Sequence, residues 1–288
     1  MTEFITKLFG GSALRNTYVF SVFLSAIICP CTQVLAQSQT AGPFSAKPAK
    51  IEGHGRALED VLSQVQVAFK FPIYYEELPF ENPSDLKAVA IPGIRPALVS
   101  PVSDLTVTLT EVDSTPYLAI ESVLSAYTQA GYPGIYKVVP HDHRIDVLPA
   151  QLRSFSGSMK DTVPILTVPI TLSVAERTVA DTLQLILDAA SKQSGYRILI
   201  IRAPAPVFQT VQLGANGEAL GDVLENLSDA LGSVFSVAFR YVPDEKTYYF
   251  DVTGVAPPDP AGKPAVPGGK KINPTHGPAN SPFFVQTK

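Results

Sequence analysis

The sequence predicts an α+β protein: two tandem, small two-layer modules, each ordered strand-helix-strand and then strand-helix-strand-strand. Three observations carry that prediction. Four amphipathic helices are legible, short alternating strands follow each of them, and the whole order occurs twice.

The first helix lies in GRALEDVLSQVQVAFKFPIYYEE, where Leu58, Val61, Leu62, Val65 and Phe69 form one stripe and PIYY is the strand that follows. In TPYLAIESVLSAYTQAG the stripe is Tyr117, Ile120, Val123, Leu124 and Tyr127. Thr115 is placed to cap this helix, with Pro116 at its first position. The third helix, in ERTVADTLQLILDAASKQSGYRILII, buries Val179, Leu183, Ile186, Leu187 and Ala190 and runs into YRILII. The fourth, GEALGDVLENLSDALG, buries Leu220, Val223, Leu224, Leu227 and Leu231. Thr178 is a cap for the third helix, and Gly131, Gly195 and Gly232 sit where a left-handed residue ends a helix. Strands VTLT and VPITL precede the second and third helices. Asn216 and Gly217 read as a turn and cap before the fourth.

Each half closes with a hairpin. YKVVPHDHRIDV, from Tyr136, and FRYVPDEKTYYFDV, from Phe239, both run through Val-Pro, a polar turn and a return strand ending in Asp-Val. The halves differ by the proline-containing stretch LPFENPSDLKAVAIPGIRPALVSPV, which reads as a surface loop.

These elements set the boundaries. Residues 1–36 have the layout of a secretory signal peptide: a short stretch with Lys7 and Arg15, the apolar run YVFSVFLSAIICPC, and a small-residue cleavage pattern ending at Ala36. The apolar run is too short for a stable membrane span, which takes about 20 residues. Residues 37–49 read as a flexible linker, 50–150 as the first module with insertion 78–103, 151–163 as a second linker and 164–255 as the second module. Residues 256–288 read as a disordered tail rich in Pro and Gly.

Composition excludes several functions. Both cysteines, Cys29 and Cys31, fall in the leader, so a processed chain has no thiol chemistry and no disulfide. The net charge of −4 with dispersed basic residues excludes a nucleic-acid footprint. His141, Asp142, His143 and Asp146 suggest a metal site. The other repeat, however, has Asp244, Glu245 and Lys246 in that turn, which reads as a solvated turn with no metal function. No nucleophile elbow or phosphate loop is present, so neither catalytic nor cofactor-binding residues are assigned.

VADTLQLILDAASKQSGYRILI and ALGDVLENLSDALGSVFSVAFRYV resemble the short N-terminal domain shared by secretins and TonB-dependent transducers, in which a helix of the form LxxxLxxLxxxxG runs into a strand and a second helix leads into a closing hairpin. The resemblance spans Pro164 to Val255, and more loosely Ile51 to Pro149. In those families the domain precedes a barrel or a secretin ring, and here a Pro-rich stretch follows. The resemblance implies partner recognition in the periplasm and not pore formation.

The expected function is therefore that of a periplasmic or secreted, non-catalytic protein that binds a cell-envelope protein or peptide segment, with the role of an accessory to a secretin, TonB-type or pilus machine as one form of it. Of the return strands RIDVLP and TYYFDV one reads as a docking edge, and the second is the expected one, with Tyr248 or Tyr249 as partner-binding anchor. The alternative is a hydrolase using Glu76, Glu77, Glu81 and Asp85, although those carboxylates read more readily as solvated surface.

Overall fold

The computed structural model describes residues 48–89, 97–99 and 104–256. The predicted leader, nearly all of the first linker, parts of the insertion and the predicted tail beyond Ala256 lie outside the described residues.

In chain order the first half contains β1 (Ala49–His54), α1 (Ala57–Phe69), β2 (Ile73–Glu76), the short strands β3 (Lys87–Val89) and β4 (Ala97–Val99), β5 (Asp104–Leu109), α2 (Pro116–Gln129), β6 (Ile135–Pro140) and β7 (Ile145–Arg153). Strand β8 (Met159–Asp161) leads into β9 (Pro169–Thr178), α3 (Val179–Ser194), β10 (Arg197–Ile200), β11 (Thr210–Ala219), α4 (Leu220–Leu231), β12 (Phe235–Val242) and β13 (Thr247–Gly254). The protein is α+β, with helices and antiparallel ribbons around a mixed sheet.

The connectivity of the halves is the same. In each, the first and third strands form an antiparallel ribbon, β1 with β5 and β9 with β11. The second strand pairs in parallel with the last, β2 with β7 and β10 with β13. The last two strands form the hairpin, β6 with β7 and β12 with β13. Helices α1 and α3 touch their own ribbon and their own second strand, so they fill the space between ribbon and sheet.

Local chemistry explains the helix limits. Thr115 Oγ1 accepts from Leu118 N at 3.3 Å, and Thr178 Oγ1 accepts from Asp181 N at 3.1 Å. Gly195 and Gly232 end α3 and α4 in the left-handed conformation, where a Cβ would be strained.

The two sets of strands join into one sheet, ordered β10-β13-β12-β2-β7-β6, with β8 added to β7. The join is a parallel pairing of β12 with β2, in the register Val237↔Tyr74, Ala238↔Tyr75, Phe239↔Glu76. Along β2 and β7 alternate residues enter different cores. Ile73, Tyr75, Ile145 and Val147 pack with α1 and α2, whereas Tyr74 and Leu148 pack with α3 and α4. Successive strand residues point to opposite faces, so the two helix pairs cover opposite sides of the shared sheet.

Three boundaries drawn from sequence change. Residues 151–163 are not a linker, since β7 runs to Arg153 and β8 pairs back onto it. The insertion is not simply a surface loop: Leu78 and Phe80 are buried in the second core, and β3 pairs with β4. Proline limits strands only where a donor is needed, and it leaves the intervening segments free to pair. Asn216 and Gly217 lie inside β11, where a bulge and a φ of 86° at Gly217 accommodate the bend.

Candidate functional site

Two kinds of place in this fold attract function: the buried junction where the repeats meet, and the outer edges of the sheet. The junction holds most of the buried charge. Arg144, in the β6–β7 turn, is 2% exposed. Its Nε donates to Asp146 Oδ1 at 2.8 Å, its Nη2 to Asp222 Oδ1 at 2.6 Å, its Nη1 pairs with Glu225, and the guanidinium lies 5.2 Å from the Tyr74 ring centre. Burial disfavours its charge, but the surrounding carboxylates outweigh that and raise its pKa. Arg144 thus ties the first hairpin to α4 of the second half.

One further ion pair, Arg240 with Glu59, crosses the junction, and a second, within the first half, lies against it. Arg56 pairs with Glu77, whose Oε2 also accepts from Tyr241 N at 2.8 Å. Arg240 on β12 grips Glu59 on α1 at 2.6 Å and Asp251 at 2.7 Å.

The acidic group singled out in the sequence does not form a cleft. Glu76, Glu77 and Asp85 are buried rather than solvated, because the segment after β2 threads between the halves. Glu76 accepts from Leu166 N at 3.0 Å, Asp85 pairs with Arg153, and Glu81 pairs with Lys160 at 2.8 Å on the surface. Burial pushes the Glu76 carboxyl up to about 8, against the pull of the Ile165 and Leu166 backbone donors. Each of these carboxylates is held by a structural partner, and they do not converge on one another.

The histidines also part company. His141 Nε2 lies 2.9 Å from Asp146 Oδ2, within the Arg144 cluster. His143 is exposed and lines a cavity of about 340 Å³ with Lys70, Tyr74, Glu225 and Phe235. Among the described residues, no group of three or more His, Cys, Asp or Glu is placed to hold one metal ion.

The docking edges proposed from sequence are overturned. β7 lies between β2 and β6, and β13 lies between β10 and β12, so both return strands are interior. Tyr248 is fully buried and donates its hydroxyl to Glu77 O at 3.0 Å, so it cannot anchor a partner. Tyr249 is half-buried on the other face of β13, with its hydroxyl on Glu245 at 2.7 Å. The parallel return of β10 and β2 covers those strands, and adjacency in sequence gave no sign of it.

Of the shared sheet, the strands at the two ends of the order are β6 and β10, while β8 pairs with β7 alone and the two-stranded ribbons have outer sides of their own. Each end of the order carries an exposed isoleucine: Ile135 is 45% exposed on β6, and Ile201, just after β10, is 54% exposed. No described helix is long and apolar enough to cross a membrane. No family model, curated protein or solved structure matches the chain.

Proposed function

We propose that this is a non-catalytic binding protein of the cell envelope, which takes up protein partners by strand addition at the free edges β6 and β10. The observation that carries the reading is the junction itself, where β12 of one repeat adds in parallel to β2 of the other. Backbone pairing supplies affinity in such an addition, and side chains set the register. An edge with unpaired N–H and C=O groups is either covered or used. The leader-like residues 1–36 support export, and the resemblance of each repeat to the N-terminal domain of secretins and TonB-dependent transducers supports work beside such a machine.

The test is site-specific photocrosslinking in intact cells, with the probe at Val139 on β6, at Arg197 on β10, and at the exposed Val174 on the β9–β11 ribbon as control. Protein adducts at the edge positions and not at Val174 are expected. Adducts at the ribbon alone would refute strand addition.

A further inference from the structure

The two free edges correspond to the two strands that already pair at the junction. Val138 pairs with Val147 as Phe239 pairs with Phe250, and Tyr75 pairs with Val147 as Ile200 pairs with Phe250. β6 is therefore the counterpart of β12, and β10 the counterpart of β2. We infer that the partner of the β6 edge is the β10 edge of a second copy of this chain, so that copies assemble head to tail in the same parallel register that joins the repeats. This rests on the strand-addition reading above and names one partner for it.

Transferring the internal register sets Tyr136 against Leu199, Lys137 against Ile200 and Val138 against Ile201 of the next copy. The residues at these positions suit the transfer. Ile135 and Ile201 are the counterparts of Ser236 and Glu76, which are 4% and 1% exposed at the internal junction. At the free edges the same positions carry exposed isoleucines, so pairing would bury them.

Proline in β6 does not block the edge. Pro140 is the counterpart of Tyr241, whose N–H donates to the Glu77 side chain and not to the backbone of β2. The counterpart of Glu77 is Arg202, so the lost donor and the lost acceptor coincide. Arg202 faces Asp251 of its own chain at 3.5 Å.

Charge also fits. Ala238 shares a cavity with Ser63 of α1, on the face that α1 covers. The stripe Leu58, Val61, Leu62, Val65 matches Leu183, Ile186, Leu187, Ala190, and ten residues separate Val65 from Tyr75 as they separate Ala190 from Ile200. Ser63 therefore matches Asp188, and Ala238 matches Lys137. Both are exposed, and the transferred register brings the Lys137 ammonium to the Asp188 carboxylate of the neighbouring copy. The contact is heterologous, so it closes as a ring or continues as a filament according to the rotation per copy.

Sedimentation velocity on the full chain over a concentration series tests this. The average mass should rise beyond a dimer with concentration, and Ile201→Asp should weaken association at least about tenfold with an unchanged circular dichroism spectrum. Lys137→Glu and Asp188→Lys should each weaken it by about fivefold. An equimolar mixture of the two should recover wild-type association, because every junction in an alternating assembly is then oppositely charged. A chain that stays monomeric at every concentration, or a mixture that fails to recover, overturns the inference. If the chain is monomeric yet edge probes in cells capture a different protein, self-assembly fails and strand addition stands. Edge probes that capture nothing remove both.

Discussion

The β6–β7 hairpin carries His141, Asp142, His143 and Arg144 at its turn, and the β12–β13 hairpin carries Asp244, Glu245 and Lys246 at the corresponding place. The second turn is exposed throughout, whereas Arg144 in the first is buried among Asp146, Asp222 and Glu225. The reason lies in what covers each turn. Helix α4 of the second half sits over the turn of the first hairpin through Asp222 and Glu225, whereas α1 of the first half meets the second hairpin along β12, through Glu59 and Arg240, and leaves its turn exposed. Repeats of one fold thus come to differ at equivalent positions because joining them head to tail leaves one copy of each surface inside and one outside.

The largest expected effect breaks that contrast. Arg144→Ala leaves Asp146 buried without its cation and should destabilise the protein by about 3 to 5 kcal/mol. Lys246→Ala, in the exposed turn, should stay within about 0.5 kcal/mol. Urea unfolding of both variants checks this, and equal costs would mean that the turns are equivalent after all.

Next in size are core truncations. Leu62→Ala in α1 and Leu183→Ala in α3 should each cost about 2 to 5 kcal/mol, since both side chains are buried. They enter different cores, but the cores share β2 and β7. Both variants should therefore lower one common transition, followed by tyrosine circular dichroism and by amide exchange. Two separable transitions would show that the halves unfold independently.

Much of this fold was legible in the sequence. The helix stripes, the caps at Thr115 and Thr178 and the doubled order follow from local periodicity and local hydrogen bonding. What was not legible is long-range. Tyr248 sits in a strand whose alternation gives no sign that β10 and β12 flank it. Arg144 looks like one more polar residue in a turn, until α4 is placed over it. Glu76 and Glu77 follow a strand in a charged segment, and only the thread of that segment between the halves buries them. A parallel partner remote in sequence leaves no local signal, so the junction and its charges were invisible, and with them the true edges.

A third effect depends on pH. Folded Glu76 keeps its proton up to about pH 8, while the unfolded chain releases it near 4.5. Between those values the folded state holds more protons, so this group makes stability fall as pH rises, by at most about 1.4 kcal/mol per pH unit. Glu76→Gln keeps an acceptor for Leu166 N and removes the titration. The stability of the variant relative to wild type should therefore climb from pH 5 to 8 and level off above. A difference that is flat across this range would mean that Glu76 is ionised in the fold.

The smallest effect separates the two histidines of the first turn. His141 donates one hydrogen bond to Asp146, a carboxylate that Arg144 already pairs with, so His141→Ser should cost about 1 kcal/mol. His143 is exposed and should be replaceable by Ser within about 0.5 kcal/mol. If the pair held a metal ion, both replacements would cost alike and a chelator would lower the melting temperature of the wild type to that of the variants. The structure ties His141 to the Arg144 cluster and turns His143 toward an open cavity, so the costs should differ and the chelator should shift nothing. Thermal melts of wild type, both single variants and the double variant, each with and without chelator, decide between a ligand pair and a junction residue beside a surface one.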